Sequence, residues 1–291
     1  MPSRPDSTWT FEGFVVSSRV NRRSRLPGFG LALGTTILWL SLIILIPISA
    51  VFVKSLSQGW GTFWAAAGSP RALAAYRLSF GAAAVAAGVN CLFGLLVAWV
   101  LVRYRFFGRR LLGALIDLPL ALPTAVAGIA LTAIYANTGP LGRLLEPLGL
   151  PVAYRPAGVV VALTFIGLPF VVRTVEPVLA EVSSEMEEAA LTLGATRLQT
   201  FSKVILPTIA PALATGFALA FARGAGEYGS VIFIAGNMPF KSEIAPLLII
   251  TQLEEYNYAG AAAIACVMLV ISFALLLLLN LLQHWQARRH A

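Results

Sequence analysis

Charged residues are scarce in this chain. Only 12% of its 291 residues are Asp, Glu, Lys or Arg, whereas 58% are hydrophobic. A soluble protein carries roughly 25% charged residues, and one soluble core of ordinary size does not hold this many apolar side chains. The mean hydropathy of +0.82 agrees with this imbalance. The composition therefore excludes a typical water-soluble domain and favours a membrane protein.

Histidine and cysteine, common in catalytic and metal sites, are also scarce. The two histidines, His284 and His290, lie near the carboxyl end, and the two cysteines, Cys91 and Cys266, lie inside apolar runs. These residues cannot supply a multi-histidine metal site, a disulfide framework or a cysteine-based zinc site. No GxxxxGK[ST] motif occurs, so we expect no P-loop in this chain. We predict a protein that is not an enzyme.

Long uncharged runs predict about six transmembrane helices. Backbone polar groups in lipid must be satisfied within their own segment, so a span needs about 20 consecutive apolar residues. We predict an all-α membrane protein whose spans are listed by residue number as about 31–53, 78–102, 111–136, 157–177, 205–226 and 256–282. Residues 228–240 form a shorter apolar run that contains two glycines and a proline, which favours a re-entrant or surface segment.

The remaining residues form tails and loops around a membrane domain at residues 26–283. We predict a mobile cytoplasmic tail at residues 1–25 and a short cytoplasmic tail at residues 284–291. Aromatic residues between Gly59 and Arg77 predict an interfacial helix between the first two spans.

The basic residues predict the orientation of the spans. Fourteen Lys and Arg lie in the ends and loops on one side and six on the other, with Arg223 near a helix end. This positive-inside bias predicts that both termini are cytoplasmic. It also accounts for the pI of about 10 without a nucleic-acid partner.

The loop between the fourth and fifth predicted spans, residues 181–207, carries strong helix signals. Ser184 and Glu187 have the spacing of a capping box that starts a short helix at Glu185, and Gly194 is a typical stop. An apolar stripe is predicted by the residues at helical spacing, Met186, Ala189, Ala190 and Leu193. We call residues 181–207 the coupling loop.

A second short helix is predicted in the same loop. Thr196 and Gln199 have the spacing of another capping box, and Pro207 is expected to open the next span. Glu185 and Glu188 are expected to project away from the apolar stripe. Two short helices around a glycine corner would present an apolar surface flanked by carboxylates, which suits docking into a groove of a partner protein.

The spacing within this loop resembles the EAA loop of the permease subunits of bacterial ABC importers, EAA-x3-G-x9-I-x-LP. The matching positions are Glu188, Ala189, Ala190, Gly194, Leu206 and Pro207. Val204 stands where the family pattern prefers isoleucine, a loss of one methylene group. The combination of a fixed tripeptide, a glycine at a set offset and a terminal Leu-Pro is specific.

The resemblance extends over about residues 26–283. Segments similar to the sulfate/thiosulfate and molybdate permeases are residues 103–106, 117–119, 122–128 and 169–175. Residues 226–237 and 252–259 are similar to the T-type permease subunits of sulfate/thiosulfate importers. The resemblance implies a type I ABC importer permease fold with a cytoplasmic EAA coupling-helix loop.

The same resemblance implies a function and a set of partners. The chain would move sulfate or thiosulfate across the bacterial cytoplasmic (inner) membrane by alternating access. It would work with a sister W-type permease, a cytoplasmic ABC ATPase dimer and an extracytoplasmic sulfate-binding protein. ATP and Mg would be bound by the ATPase, and no cofactor is expected here. The residues expected to couple to the ATPase are Glu185, Glu188, Ala189, Ala190, Gly194, Leu206 and Pro207.

Two groups of residues are candidates for the translocation path. In the first group Pro123 frees a carbonyl, Thr124 offers a hydroxyl without a countercharge, and Ala125 follows them. Such weak dipolar contacts suit release of an anion. The second group is Arg223 and Glu227, which could pair across one helical turn. We expect an ion pair there first; alternatively, Arg223 attracts a divalent anion when Glu227 is engaged elsewhere.

An intramembrane carboxylate, Asp117, leaves a different mechanism open. We expect this carboxylate to be paired inside the bundle, because an anion path gains nothing from a fixed negative charge. An ion-coupled secondary anion transporter would instead use Asp117 as its coupling group. A molybdate or tungstate ABC permease is a further alternative, since these ions share the tetrahedral dianion shape. A membrane-embedded enzyme is disfavoured by the scarcity of histidine.

Overall fold

The computed structural model describes residues 29–290, all of whose regular elements are helices. The predicted tail at residues 1–25 lies outside the described residues, as do residues 26–28 and 291. The α-helices in chain order are α1 (Phe29–Leu40), α2 (Ile46–Leu56), α3 (Trp60–Ala67), α4 (Pro70–Arg103), α5 (Arg109–Ala121), α6 (Thr124–Tyr135), α7 (Pro140–Leu145), α8 (Pro156–Glu181), α9 (Ser184–Thr192), α10 (Arg197–Thr200), α11 (Leu206–Ala225), α12 (Val231–Ile234), α13 (Ala245–Glu254) and α14 (Tyr258–His290). Two π-helical turns, Ser41–Leu45 and Phe201–Ile205, interrupt them.

Several of these helices are long and apolar enough to cross a membrane. Within the described residues they are Phe29–Leu56, Pro70–Arg103, Pro156–Glu181, Arg197–Ala225 and Tyr258–Leu281. Contacts divide the chain into two units, Met1–Ile48 and Ser49–Ala291. In the first unit, α1 exposes all its side chains, as a lipid-facing helix does.

The third predicted span, residues 111–136, is two helices and not one. Helices α5 and α6 meet at a bend of 112° and make a sixth span only if they are counted together. The bend lies at Leu122, which has an extended backbone with ψ of 137°, and at Pro123, which caps α6 with ψ of 130°. A proline disfavours the helical conformation of the residue before it and has no N–H to donate. Pro123 therefore breaks the run that hydropathy alone joins.

The second span begins earlier than predicted. Helix α4 starts at Pro70 and not at residue 78, because Ser69 caps it by accepting a hydrogen bond from the backbone N–H of Ala72 at 3.2 Å. Proline in the first turn favours a helix start, since no N–H is needed there. Helix α3 lies in the segment where an interfacial helix was predicted, and its Phe63 makes edge-on contacts with Trp60 and Trp64.

Helices α4, α8 and α11 form the core of the second unit through small residues. A Cβ atom at Gly94 of α4 would lie 2.9 Å from Val171 Cγ1, and one at Gly216 of α11 would lie 3.0 Å from Val171 Cα. Four small residues of α4 are buried at helical spacing, namely Ala82, Ala83, Ala86 and Ala87. Ala84 and Gly88, which also suit close packing, are exposed instead. The three helices therefore approach closely along one face of α4.

An ion pair links the start of α4 to the segment before α13. Arg71 donates from Nε to Glu243 Oε2 at 2.8 Å and from Nη2 to Oε1 at 2.7 Å. The Glu243 side chain is only 1% exposed. A two-point contact of this kind fixes the orientation of both groups.

Candidate functional site

The first helix of the coupling loop starts one residue earlier than predicted. Helix α9 begins at Ser184, and Ser183 occupies the capping position without a side-chain hydrogen bond. The predicted capping box of Ser184 and Glu187 is therefore wrong. Ser184 already lies inside the helix, and the Glu187 carboxylate accepts a hydrogen bond from Arg103 instead.

The second predicted capping box is present. Thr196 Oγ1 accepts from the N–H of Gln199 at 3.3 Å, and Gln199 Oε1 accepts from the N–H of Thr196 at 2.8 Å. These two bonds satisfy backbone donors that the start of α10 leaves open. The signal is local in sequence, and the structure confirms it.

Gly194 ends α9 in the conformation that its position requires. Its φ is +82°, a left-handed value that costs little only for glycine. The N–H of Gly194 bonds to the carbonyl of Leu191, and the N–H of Ala195 bonds to that of Ala190, both at 3.0 Å. This pair of bonds is the Schellman motif. No atom of the described chain lies within 4 Å of a Cβ placed on Gly194, so backbone conformation, and not crowding within the chain, calls for glycine.

The outer surface of the coupling loop is apolar and exposed. Leu193 is 88% exposed and Leu198 is 76% exposed, and Met186 is exposed as well. Leu191 is also exposed, but it lines a cavity together with Trp99 on the inner side of α9. Glu185, Glu188 and Ala189 are also exposed, while Ala190 is half-buried. The predicted stripe therefore points away from the bundle for the most part. Exposed apolar groups beside carboxylates form a surface that suits a protein partner.

The second half of the coupling loop continues directly into the next span. Helix α10, the π-helical turn Phe201–Ile205 and α11 make one candidate span, Arg197–Ala225. Leu206 is half-buried, and Pro207 is exposed in the first turn of α11. The π-helical turn lies just before Pro207, the residue that cannot donate to a helical hydrogen bond. Pro207 thus follows a local change from α-helical to π-helical hydrogen bonding and does not start a separate helix.

The inner side of α9 faces the end of α4. Arg103, the last residue of α4, forms an ion pair with Glu187. The Arg103 guanidinium lies over the Trp99 ring, 5.5 Å from its centroid, and Trp99 meets Phe201 edge-on at 5.7 Å between centroids. A cavity of about 520 Å³ opens beside these residues, and it is also lined by Leu191. In the sequence, Arg103 is one of the basic residues that predict the orientation and is the first residue of the similar segment 103–106. Neither pattern predicts its contact with Glu187.

The predicted path residues after the bend contact a segment distant in sequence. Pro123 caps α6, and Thr124 and Ala125 begin it. A Cβ at Gly229 would lie 2.2 Å from Thr124 Oγ1, so the backbone at Gly229 touches Thr124 directly. Further along α6, a Cβ at Gly128 would lie 2.4 Å from the carbonyl oxygen of Ser230. Two glycines therefore permit this close approach.

The segment that reaches α6 belongs to the apolar run predicted to be re-entrant or superficial. In its short helix α12, Val231 and Ile234 have no exposed surface, while Phe233 is exposed. Residues 236–240 at its far end are exposed. The first half therefore packs inside the protein, while the second half lies at its surface.

Arg223 and Glu227 make the predicted contact across one turn. Arg223 Nη1 lies 2.5 Å from Glu227 Oε2, and the Glu227 side chain is 2% exposed. The other oxygen, Oε1, accepts from the N–H of Ser230 at 3.0 Å and from its hydroxyl at 3.1 Å. Glu227 thus connects the end of α11 to the start of α12. Through Ser230 and Gly229 the two groups of predicted path residues lie in one region.

The coupling residues lie elsewhere. Leu206 and Arg223 stand near opposite ends of α11, so the structure separates the coupling surface from the predicted path. Asp117 is paired, as expected, because Arg173 donates to it from α8, but both side chains are partly exposed and not enclosed in the bundle. The sequence alone did not name Arg173 as the partner.

Comparison with known proteins identifies the family. Residues 90–290 match the family described as "Binding-protein-dependent transport system inner membrane component". The chain belongs to this family. Its members are transport permeases, which fits a helical membrane protein.

Similar proteins in this family cover nearly the whole chain. The sulfate transport system permease protein CysT of Salmonella typhimurium is 50% identical over 93% of this chain and 98% of its own length. The protein of the same name from Escherichia coli is 49% identical over 95% of this chain and 98% of its own length. The resemblance stated from the sequence motifs is thereby confirmed.

Solved structures support the fold. A chain of a bacterial ABC transporter involved in the import of the acidic polysaccharide alginate superimposes with a TM-score of 0.70, covering 88% of this chain and 94% of that chain at 17% identity. A chain of the MetNI methionine ABC transporter gives a TM-score of 0.57, covering 73% of this chain and 94% of that chain at 18% identity. These likenesses concern the fold alone, and they confirm the all-α ABC permease class.

Proposed function

We propose that this protein is the permease subunit of an ATP-driven importer that moves sulfate and thiosulfate by alternating access. The observation that carries this proposal is the 50% identity to a sulfate transport system permease over 93% of the chain. The exposed coupling loop supplies a surface on which a motor subunit can act. The chain itself performs no catalysis and holds no cofactor.

The proposed partners follow from the similarity to sulfate transport permeases and, for the ATPase, also from the exposed coupling loop. A cytoplasmic ABC ATPase dimer, which binds ATP and Mg, docks on the apolar outer surface of the coupling loop. A sister W-type permease completes the path across the bilayer, and an extracytoplasmic sulfate-binding protein delivers the anion. The positive-inside distribution supports cytoplasmic termini in the bacterial inner membrane. Nucleic acid has no part in this function.

The coupling loop transmits the movement of the ATPase. Glu185 and Glu188 flank the docking surface with negative charge, and Ala189 and Ala190 keep its middle narrow. Gly194 sets the angle between α9 and α10 through its left-handed backbone. Leu206 and Pro207 lie where the loop becomes the span. Because α10 continues without a break into α11, a displacement of the loop moves the span as one body.

The path lies where the two predicted groups meet. Pro123 turns the chain by 112° between α5 and α6, and Thr124 and Ala125 begin the helix beyond the turn. Arg223 is half-exposed and held by Glu227. When the two halves of the region separate, Arg223 offers a positive charge to a divalent anion, while Thr124 offers a neutral hydroxyl. Weak contacts of this type permit release.

Uptake by the reconstituted complex tests the proposed function. The chain is purified with its sister permease and ATPase, placed in proteoliposomes and supplied with binding protein and labelled sulfate. We expect uptake that requires ATP and persists when a protonophore removes the proton gradient. Uptake driven by an ion gradient without ATP would support a secondary transporter. Uptake of molybdate in preference to sulfate, with binding proteins for both present, would favour the other oxyanion permease.

A further inference from the structure

Helix α9 is joined to the rest of the chain by a non-helical connection at each end. Before it, Val182 and Ser183 have extended backbones, with ψ of 106° and 145°. After it, Gly194 has a left-handed backbone. Gly194 sets the angle between α9 and α10, but the extended residues before α9 do not fix the end of this helix that lies beside α4. A force applied to α9 would therefore turn this helix before it moved the spans, unless another contact holds it.

The ion pair between Glu187 and Arg103 supplies such a contact. Glu187 is half-buried on the inner side of α9, with 28% of its side chain exposed, whereas Arg103 is 22% exposed. The neighbouring carboxylates Glu185 and Glu188 are exposed and make no ion pair within the described residues. Glu187 is thus the carboxylate of this helix that turns toward the core. Its partner is the last residue of α4, a helix of the three-helix core.

Aromatic contacts hold the arginine in place. The Arg103 guanidinium lies over Trp99, one turn earlier on α4, and Trp99 packs edge-on against Phe201. Stacking and an ion pair together restrict the rotation of an arginine more than either alone. A cavity of about 520 Å³ lies next to this contact.

We propose that Arg103 and Glu187 are positioning residues that fix the angle of α9 on the core. With the pair in place, a pull on α9 moves α4, α8 and α11 together. Without the pair, a pull on α9 rotates this helix about Val182 and Gly194 and no longer moves α4, α8 and α11. This inference rests on the proposed function, because it describes how the motion of an ATPase reaches the spans.

The test measures how much sulfate is moved for each ATP hydrolysed by the reconstituted complex. Glu187→Gln and Arg103→Gln remove one charge each. We expect each to lower the ratio of transport to hydrolysis about tenfold, within the range typical of coupling energies between sites, while the ATPase still co-purifies and hydrolyses ATP. The double variant should be no worse than either single one. The exchanged pair, Arg103→Glu with Glu187→Arg, should recover most of the ratio.

The matched control is Arg105→Gln. Arg105 is exposed two residues beyond Arg103 and makes no ion pair within the described residues, so its loss should leave the ratio unchanged. A normal ratio in Glu187→Gln, or additive losses in the double variant, would overturn the proposal. Loss of ATPase co-purification in Glu187→Gln would also overturn it, because Glu187 would then contact the ATPase.

A second measurement does not depend on transport. Spin labels are placed at Leu193, which is 88% exposed, and at the exposed Val100 of α4 in a background without Cys91 and Cys266. We expect the distance distribution between the labels to broaden in Glu187→Gln and to narrow again in the exchanged pair. An unchanged distribution contradicts the positioning role. Failure of the wild-type complex to take up sulfate with ATP would contradict the proposed function and leave this distance test intact.

Discussion

Arg173 of α8 donates two hydrogen bonds to Asp117 of α5, from Nε to Oδ1 at 2.8 Å and from Nη2 to Oδ2 at 2.5 Å. The same guanidinium donates from Nη1 to Glu176 at 2.6 Å. The carboxylate that a secondary transporter would use for ion coupling is thus held by a cation. A group held in this way ties two helices together and is poorly placed to exchange protons.

Replacement of Asp117 distinguishes a structural role, linking α5 to α8, from a role in ion coupling. Asp117→Asn keeps an acceptor for Arg173 and removes the charge. Because both side chains are partly exposed, we expect a loss of stability of no more than about 1 kcal/mol and continued ATP-driven sulfate uptake. Thermal unfolding of the purified complex measures the loss of stability, and sulfate uptake with and without a protonophore measures transport. Lost uptake with an unchanged unfolding temperature would mean that Asp117 couples an ion.

Substitution of Gly194 tests the shape of the coupling loop. Valine at φ of +82° is strained by about 1–2 kcal/mol or more, so Gly194→Val should abolish uptake and weaken co-purification of the ATPase while the chain still inserts. Gly194→Asn is the control, since asparagine tolerates the left-handed conformation. We expect Gly194→Asn to keep most of the uptake. Normal uptake in Gly194→Val would remove the loop from the coupling mechanism.

Alanine substitutions at Gly229 and at Gly128 should respond differently to removal of the Thr124 hydroxyl. Gly229→Ala places a Cβ 2.2 Å from Thr124 Oγ1, a side-chain atom, whereas Gly128→Ala places one 2.4 Å from the backbone oxygen of Ser230. Both variants should lower the yield of folded protein on size-exclusion chromatography. Thr124→Ala removes the clashing hydroxyl and should restore Gly229→Ala but not Gly128→Ala. Equal rescue of both variants would contradict the packing described.

Replacing Glu227 should lower the stability of the protein, because Glu227 contacts both Arg223 and Ser230. Glu227→Ala leaves Arg223 without its ion pair and removes the acceptor that Ser230 uses. Because Glu227 is buried but Arg223 is 37% exposed, the loss should lie between that of an exposed and that of a buried pair, about 1–3 kcal/mol, which a fall in the unfolding temperature would report. Glu227→Gln retains an acceptor and should lose less. Glu254→Ala is the control, because Glu254 is exposed and makes no ion pair in the described part of the chain. An equal fall in Glu254→Ala would exclude a special role for Glu227.

Local signals predicted the coupling loop well. The stop at Gly194 and the capping box of Thr196 with Gln199 depend on residues within a few positions of each other, so the sequence contains the information needed. The break at Pro123 was not predicted, because the hydropathy of residues 111–136 favoured one span. A Leu-Pro pair does not mark such a break by itself, because Pro119 of α5 and Pro169 of α8 also follow a leucine and lie inside helices.

Contacts between distant residues could not be predicted in the same way. Arg103 and Glu187 are 84 positions apart, and only the packing of α4 beside α9 brings them together. Their residue types suggested simpler roles, a topology marker and a helix cap. The contact of Thr124 with Gly229 is of the same kind, since it depends on where the bend directs α6.

The helix from Arg197 to Ala225 has 29 residues and measures roughly 43 Å at 1.5 Å per residue. Leu198 lies near the first turn of this helical segment and Arg223 lies near its last turn, so both belong to one element. A protein that contacts only the end near Leu198 can therefore tilt the end near Arg223 without touching it. The position of Arg223 can thus be changed from a distance comparable to the thickness of the bilayer.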